Sequence, residues 1–338
     1  MWMVDNRTPY AAERNWYLDK QAAKSWMVAV KASFDISPDG SLRVSDEQPP
    51  PLYGPEYEGE PGQSSVRYEA DLAGPKRNTD VILVGHALAP HGEPVRGMAI
   101  AMTLGAIRKQ AVVMGDRRWE KGVAGLAMTE PEPFLRMPLI PERAFGGYDR
   151  RAEDPAAHRL YPSNPVGTGF AVAAAHLDGA PVPNIEYPDQ RIRAWTDRPR
   201  PAIFRPLASY WSPRLEYAGT YDERWLRERL PLLAEDFDER YYQCASADQQ
   251  APGFLRGGER VELRNLTPEG LLAFALPKLR LRFTTRFGRE QVPQRAQLHT
   301  VILEPDRRRV ILVWCTLLPC HHKVDKLDST LVEEIPFV

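Results

Sequence analysis

The sequence contains little cysteine, with only Cys244, Cys315 and Cys320 among its 338 residues. An odd and sparse set of this kind does not provide the paired spacings of a disulfide framework. Disulfides belong to secreted and extracellular proteins, whereas thiols stay reduced in the cytoplasm. We therefore expect three free thiols and a cytoplasmic location.

Long apolar segments are also missing. The longest uncharged run with much apolar surface is GMAIAMTLGAI, residues 97–107. A membrane-spanning helix needs about 20 apolar residues, so this run is too short. The N-terminal stretch MWMVDNRTPYAAERNW carries charges throughout and has no apolar core of the kind that a secretory signal requires. We expect neither a membrane span nor a signal peptide.

The chain has no excess of charge of either sign. It contains 44 Lys and Arg against 45 Asp and Glu. A nucleic-acid-binding protein normally shows a basic surface, and attraction to anionic membranes requires clusters of basic residues. The composition therefore predicts partners that are neither nucleic acid nor membrane.

Proline is abundant, at 32 of 338 residues. This is nearly twice the average usage of roughly 5%. Proline fixes φ and lacks an N–H, so it interrupts helices and is excluded from central strands. The prolines concentrate between residues 130 and 215, where few windows show a clean hydrophobic period. Aromatic residues are too frequent there for disorder, so this region predicts ordered loops and short helices laid over a sheet.

Two flanking regions show the period of β-strands. In SWMVAVKASFDI, Met27, Ala29, Lys31 and Ser33 fall on one face and Val28, Val30, Ala32 and Phe34 on the other, which predicts a half-buried strand. Further strands are predicted in TDVILVGHALAP, in 97–119, where LGAIRK forms a hairpin bend, and in AQLHTVILE and RVILVWCTLLP, which PDRR joins as a hairpin.

These patterns predict a mainly β protein, a β-rich α+β fold with sandwich-like sheets, long Pro-rich loops and a few short helices. We divide it into an N-terminal β-rich region at 1–130, a loop and short-helix region at 131–235, and a C-terminal β-rich region at 236–338, which together could form one continuous domain. One helix is marked at 220–230. Thr220 with Glu223 three residues later resembles a capping box, Pro231 ends the helix, and Trp225 and Leu226 should face the core.

Motifs for cofactors and metals are lacking. NPVGTGFAV supplies Gly167 and Gly169, but Val172 stands where a dinucleotide-binding loop needs glycine. The chain has no phosphate-binding loop with its lysine, no nucleophile elbow and no HExxH. The cluster Cys320–His322, with His299 nearby on a predicted strand, has ligands that suit zinc but lacks paired metal-ligand spacing. We expect no cofactor and no metal.

The stretch LAEDFDERYYQC, residues 233–244, concentrates four acids beside three aromatic residues. Glycosidases use two opposed carboxylates, and aromatic rings stack on sugars, so a hydrolase that uses the acids at 235–239 is one interpretation. Acids that are neighbours in sequence are not thereby opposed across a cleft. The other interpretation is a surface of ion pairs around an aromatic anchor, which we favour.

Longer strings resemble a known bacterial family. Over nearly the whole chain, ordered segments resemble the family DUF2169: DNRTPYAAERNW, WMVAVKASFDI, TDVILVGHALAP, GDRRWEKG, PFLRMPLIPERAFGG, NPVGTGF, VPNIEYP, EDFDERYYQCASADQQ, LRGGERVELRNLTPEG and LHTVILEPDRRRVILVWCTLLPCHHKV. The doubled histidine at 321–322 is a slight departure from the family pattern.

The resemblance implies a role in type VI secretion. Members of this family are typically encoded beside secretion components and toxic effectors, often with PAAR-type spike proteins. The resemblance therefore implies a non-enzymatic, cytoplasmic adaptor or chaperone that binds an effector, or its PAAR-containing part, and assists its loading onto the spike. Arg, Tyr and Trp dominate binding hot spots. The candidate partner-binding or framework residues are Arg118, Trp119, Trp195, Asp236, Asp238, Tyr241 and Tyr242.

Overall fold

Strands make up 40% of the chain and helices 11% in a computed structural model, which describes residues 2–123 and 125–336 without the side chains of residues 321 and 322. The helical share is far below the roughly one third of an ordinary globular protein. The predicted β-rich fold is confirmed.

The strands of the N-terminal region are β1 Met3–Asn6, β2 Ala11–Leu18, β3 Lys24–Ile36, β4 Leu42–Val44, β5 Glu56–Tyr57, β6 Val66–Tyr68, β7 Asp80–Leu83, β8 His86–Leu88, β9 Gly97–Leu104, β10 Ile107–Met114, β11 Arg117–Gly122 and β12 Gly125–Met128. The strands of the middle region are short: β13 Arg136–Pro138, β14 Phe145–Gly146, β15 Tyr148–Asp149, β16 Arg159–Leu160, β17 Thr168–Gly169, β18 Pro181–Val182 and β19 Ile185–Glu186. The C-terminal strands are β20 Arg260–Arg264, β21 Leu271–Ala275, β22 Leu281–Phe287, β23 Glu290–Gln294, β24 Gln297–Glu304, β25 Arg309–Pro319 and β26 Leu327–Glu334.

The α-helix α1 spans Glu223–Glu228. Short 3₁₀ helices lie at Pro90–Gly92, Pro141–Arg143, Pro155–Ala157, Ala174–His176, Arg214–Tyr217, Glu239–Tyr242, Ala247–Gln249, Pro305–Arg307 and His321–Lys326. The ordered loops and short helices expected of the Pro-rich middle are present. Within the described part of the chain, no helix is long and apolar enough to cross a membrane.

Each of the three large sheets combines strands from the N-terminal and the C-terminal regions. One sheet has the order β2-β3-β25-β24-β7, with β4 also paired to β3. A second has the order β19-β10-β9-β20-β21, and a third β1-β26-β22-β23. Their inner faces share one apolar core, to which Val30, Met102, Phe283 and Leu312 contribute. The predicted hairpins at LGAIRK and PDRR are both confirmed, the first joining β9 to β10 and the second joining β24 to β25.

The prediction of a half-buried β3 is wrong, because both of its faces are buried. The predicted alternation is correct, and the Val28 face enters the main core. The opposite face is covered by the loop that precedes β7. There Met27 packs against Leu72, and Lys31 donates to Asp71 at 2.8 Å. A lysine on a strand face is thus buried because a carboxylate forty residues away pairs with it.

The helix at 220–230 is shorter than predicted, and its predicted cap is wrong. Asp222 is the N-cap and accepts from the Trp225 amide at 2.9 Å. Thr220 lies two residues before the N-cap position, and its hydroxyl donates to Asp236 at 2.8 Å. Leu226 is 55% exposed and Trp225 is only half-buried, so this helix does not bury the face that we expected.

We predict that Asp222→Ala destabilises the protein, whereas the sequence alone assigned this effect to Thr220. Loss of an N-cap acceptor typically costs about 1 kcal/mol. Urea denaturation should show a lower midpoint, which corresponds to a free energy of unfolding reduced by about that amount. Asp222→Asn, which retains an acceptor, should remain close to wild type. An unchanged midpoint in Asp222→Ala would contradict the assignment.

Candidate functional site

Of the acids at 235–239, Glu235 and Asp236 line a surface cavity of about 620 Å³ together with Asp222 and Glu228, whereas Asp238 and Glu239 do not line it. Asp236 accepts from the Thr220 amide and hydroxyl, and these bonds lower the pKa of its carboxyl group. Asp238 caps the helix Glu239–Tyr242 and binds the Arg240 side chain, and these bonds lower its pKa as well. A general acid needs a raised pKa. The lowered pKa values of Asp236 and Asp238 therefore argue against either carboxyl group as the general acid of a hydrolase.

Tyr241 and Tyr242, which follow these acids, pack against other aromatic rings and are framework residues. Tyr242 packs among Phe237, Tyr241 and Tyr17, with ring centroids 5.6–5.9 Å apart. A Cβ on Gly74 would lie 2.4 Å from the Tyr242 ring, so only glycine leaves room for this ring. The cluster fixes the segment 237–242 against β2 and the loop before β7.

The other candidate residues lie elsewhere. Trp119 on β11 is 2% exposed and belongs to a separate apolar cluster with Phe145, Val182 and Ile192. Trp195 is half-buried and packs against the same cluster. Arg118 is exposed and donates to the Gly179 carbonyl at 3.2 Å. The structure therefore places Trp119 and Trp195 in one small apolar cluster, with Arg118 exposed beside Trp119 on β11. The acids and tyrosines of 236–242 form a separate group.

A cleft of about 570 Å³ opens beside the second group. This volume lies within the range of roughly 300–1,000 Å³ that is typical of ligand sites. Three segments form its walls, at 161–163, 187–217 and 240–250. Its apolar surface comes from residues such as Ile203, Leu207 and Pro213. Its charged lining side chains are four arginines, Arg198, Arg200, Arg214 and Arg240, and no acid lines it among the described residues.

Aromatic rings hold these guanidinium groups in place. Arg200 lies over the Tyr187 ring with 4.1 Å to the centroid, and Arg240 lies over Tyr217 at 4.2 Å. Stacking of this kind stabilises a cation by electrostatic attraction to the ring face. It also leaves the N–H groups at the edge of the guanidinium plane available for an acceptor. Both tyrosines line the cleft.

A buried ion pair supports the cleft from behind. The Lys109 ammonium, on β10, donates to Asp248 at 2.9 Å and to the Ile203 carbonyl at 2.6 Å. Burial lowers the pKa of Lys109 to about 8, although Asp248 opposes this shift. Tyr187 donates to the other oxygen of Asp248 at 2.7 Å. Burial would raise the pKa of Asp248, but the attraction of Lys109 and these hydrogen bonds hold it below its usual value.

A second buried network fixes the remaining wall. Asp80, at the start of β7, is fully buried and accepts from Lys76 at 2.7 Å, from the Cys244 amide at 2.8 Å and from the Gln243 side chain at 2.8 Å. Burial acts to lower the pKa of Lys76, yet the attraction of Asp80 outweighs it and the net shift is upward. Since Gln243 lines the cleft, this carboxylate connects the cleft wall to a central sheet.

The thiols and histidines give no assembled metal site in the part of the chain that is described, where no three His, Cys, Asp or Glu side chains are grouped for metal binding. Cys320 is buried, and the side chains of His321 and His322 lie outside the described residues. Burial lowers the pKa of His299 to about 3, and its ring stacks on Phe254. Burial raises the pKa of the Cys244 thiol, so it is not an activated nucleophile.

Several residues of the cleft were not predicted from the sequence, among them Tyr187, Arg198, Arg200, Arg214 and Tyr217, and neither was Asp248 behind it. One available signal was the segment RIRAWTDRPRP at 191–201, where arginines recur beside an aromatic residue and prolines. Of the predicted residues, Asp238 borders the cleft through its ion pair with Arg240.

Comparison with known proteins identifies the family but no characterised relative. No curated protein and no solved structure shows significant similarity to the chain. One family model, described as an uncharacterized protein conserved in bacteria, matches residues 21–315, which is most of the 338-residue chain. The chain therefore belongs to the DUF2169 family.

Proposed function

We propose that this protein is a cytoplasmic adaptor or chaperone of type VI secretion. It binds an effector, or the PAAR-containing part of one, and assists its loading onto the spike. Membership in DUF2169 supports this proposal through the association of that family with effectors and spike proteins. The near balance of charge fits a protein partner better than nucleic acid.

The single observation that carries the proposal is the cleft lined by arginine and tyrosine. These residue types dominate the energetics of protein–protein binding, especially where a pocket removes them from water. Buried carboxylates attach the cleft segment 240–250 to the sheets. Asp248 in this segment pairs with Lys109 on β10, and Asp80 on β7, which pairs with Lys76, binds Gln243 and Cys244. Such a preformed surface loses little conformational entropy when a partner binds.

The proposal predicts that the effector depends on this protein before secretion. A partner that binds only the folded effector stabilises it by about 2.7 kcal/mol at a concentration a hundredfold above the dissociation constant. Deletion of the gene should lower the level or secretion of the effector encoded beside it. Secretion of an effector encoded elsewhere should be unchanged, because the secretion machinery itself is intact.

Co-expression followed by size exclusion tests the physical interaction. We expect the chain and the neighbouring effector to elute together in a stoichiometric complex. Separate elution, combined with normal effector delivery in the deletion strain, would contradict the proposal.

A further inference from the structure

Arg200 presents a guanidinium group without a hydrogen-bonding partner. Among the described residues, its side chain forms no hydrogen bond, and its only ion pair there is a long one of 3.7 Å with Asp248. That carboxylate already accepts from Lys109 and Tyr187. The Arg200 side chain is 55% exposed, so its free N–H groups are accessible from the cleft.

Arg198 is a second cation without a paired carboxylate. Its guanidinium donates to three main-chain carbonyls, those of Trp195 at 2.9 Å, Asp197 at 3.0 Å and Ala171 at 2.7 Å. A guanidinium has five N–H groups, so two remain. No salt bridge within 4 Å is formed by Arg198 in the described part of the chain. The three carbonyls hold the group rigidly without neutralising its charge.

The charges around the cleft leave an excess of positive charge. The four lining arginines and Lys109 are five cations, whereas the carboxylates bound to them are three, Glu69, Asp238 and Asp248. Arg214 and Arg240 are matched by Glu69 and Asp238. Lys109 at 2.9 Å and Arg200 at 3.7 Å share the single carboxylate of Asp248. The excess positive charge therefore lies on Arg198 and Arg200, which are separated by one residue in the chain.

The shape of the cleft indicates a chain segment as its occupant. A single carboxylate or phosphate would fill only a small part of 570 Å³, and the remaining surface combines apolar and aromatic side chains with serine and glutamine side chains that can bind main-chain groups. An extended peptide offers main-chain groups and aliphatic stems to such a surface, and its carboxylates can accept bidentate hydrogen bonds from arginine.

We propose that Arg198 and Arg200 bind the carboxylates of an acidic, extended segment of the partner protein, which lies in this cleft. This inference rests on the proposed adaptor function, since it specifies how the effector or spike protein is recognised. Asp248 lies closer to Lys109, at 2.9 Å, than to Arg200, at 3.7 Å, so it neutralises Arg200 only in part. The Tyr187 ring fixes the orientation of the Arg200 guanidinium.

A labelled hexaglutamate peptide tests the cleft directly. Fluorescence anisotropy with the purified chain should show binding of hexaglutamate but not of hexaglutamine, and the affinity should fall with added salt because charges are screened. In the double variant Arg198→Gln/Arg200→Gln the affinity should fall by about tenfold or more, a loss of at least about 1.4 kcal/mol. The control Arg289→Gln removes an exposed arginine from the β22–β23 turn and should bind as wild type.

The outcomes separate this inference from the function on which it rests. Equal binding of the two peptides, or equal binding by wild type and a folded double variant, overturns the cleft assignment. If the double variant still captures the effector as well as wild type does, the adaptor function stands and the recognition site lies elsewhere. If wild type fails to capture the effector, the adaptor function fails whatever the peptide shows. Circular dichroism establishes that each variant is folded.

Discussion

Asp80→Ala should lower the free energy of unfolding by about 3–5 kcal/mol, the usual cost of removing one partner from a buried ion pair. The Asp80 carboxylate is fully buried and binds Lys76, the Cys244 amide and Gln243 together. The alanine variant leaves the Lys76 ammonium, which is only 7% exposed, without a carboxylate, and only the neutral Thr300 hydroxyl at 3.0 Å and Cys244 sulfur at 3.5 Å accept from it. Chemical denaturation monitored by tryptophan fluorescence measures the loss.

Two further variants establish the cause of that loss. Lys76→Met/Asp80→Asn removes both charges and retains an acceptor for the Cys244 amide, so it should be more stable than Asp80→Ala. Glu228→Ala removes one partner of the exposed pair with Arg224 and should change stability by less than about 1 kcal/mol. An Asp80→Ala variant as stable as Glu228→Ala would show that the buried network is not needed.

Trp119→Ala should cost about 3–5 kcal/mol, as truncation of a buried aromatic residue does. The Trp119 side chain is 2% exposed and fills the centre of the small cluster that includes Phe145 and Val182. The same truncation at Trp195, which is half-buried at the edge of that cluster, should cost less. Thermal denaturation of the two variants side by side provides the comparison.

This comparison also sorts the predicted residues by role. A large loss of stability at position 119 assigns Trp119 to the framework, since a buried indole is not available to a partner. A Trp119→Ala variant with wild-type stability would contradict the packing described here. Binding of the effector by folded Trp195→Ala then reports whether that exposed edge takes part in recognition.

The large strands were predictable from the sequence because their signal is local. Alternation along 24–36 and the turn residues of PDRR depend on neighbours within a few positions, and both predictions are confirmed. The burial of the outer face of β3 was not predictable in the same way. It depends on Asp71, which approaches Lys31 only after the intervening loop folds back over the strand.

The hydrogen-bonding partners of Thr220 and Asp222 explain why the predicted helix cap is wrong. Thr220 and Asp222 both carry a side-chain acceptor at the start of the helical pattern. Asp236, sixteen residues later, accepts from both the amide and the hydroxyl of Thr220 and holds this residue outside the helix, and Asp222 caps the helix. A local sequence motif does not reveal a hydrogen-bonding partner that only tertiary folding brings close.

The residues that line the cleft could not be predicted from the sequence for a related reason. Its wall residues Tyr187 and Arg200 are supported from behind by Asp248 and Lys109, which are far apart in the chain. The dense acids at 235–239 are adjacent in sequence, yet Asp236 is bound to Thr220 and Asp238 caps the helix that follows it. Binding sites are assembled from separate segments, and proximity in sequence is a poor guide to them.

Hydrogen exchange of the chain with and without its neighbouring effector tests the central claim most directly. If the cleft is the recognition surface, bound effector should slow amide exchange in the segments 187–217 and 240–250, with little change at the β22–β23 turn. Complex formation without protection in either segment would contradict the account, because the partner would then occupy another surface.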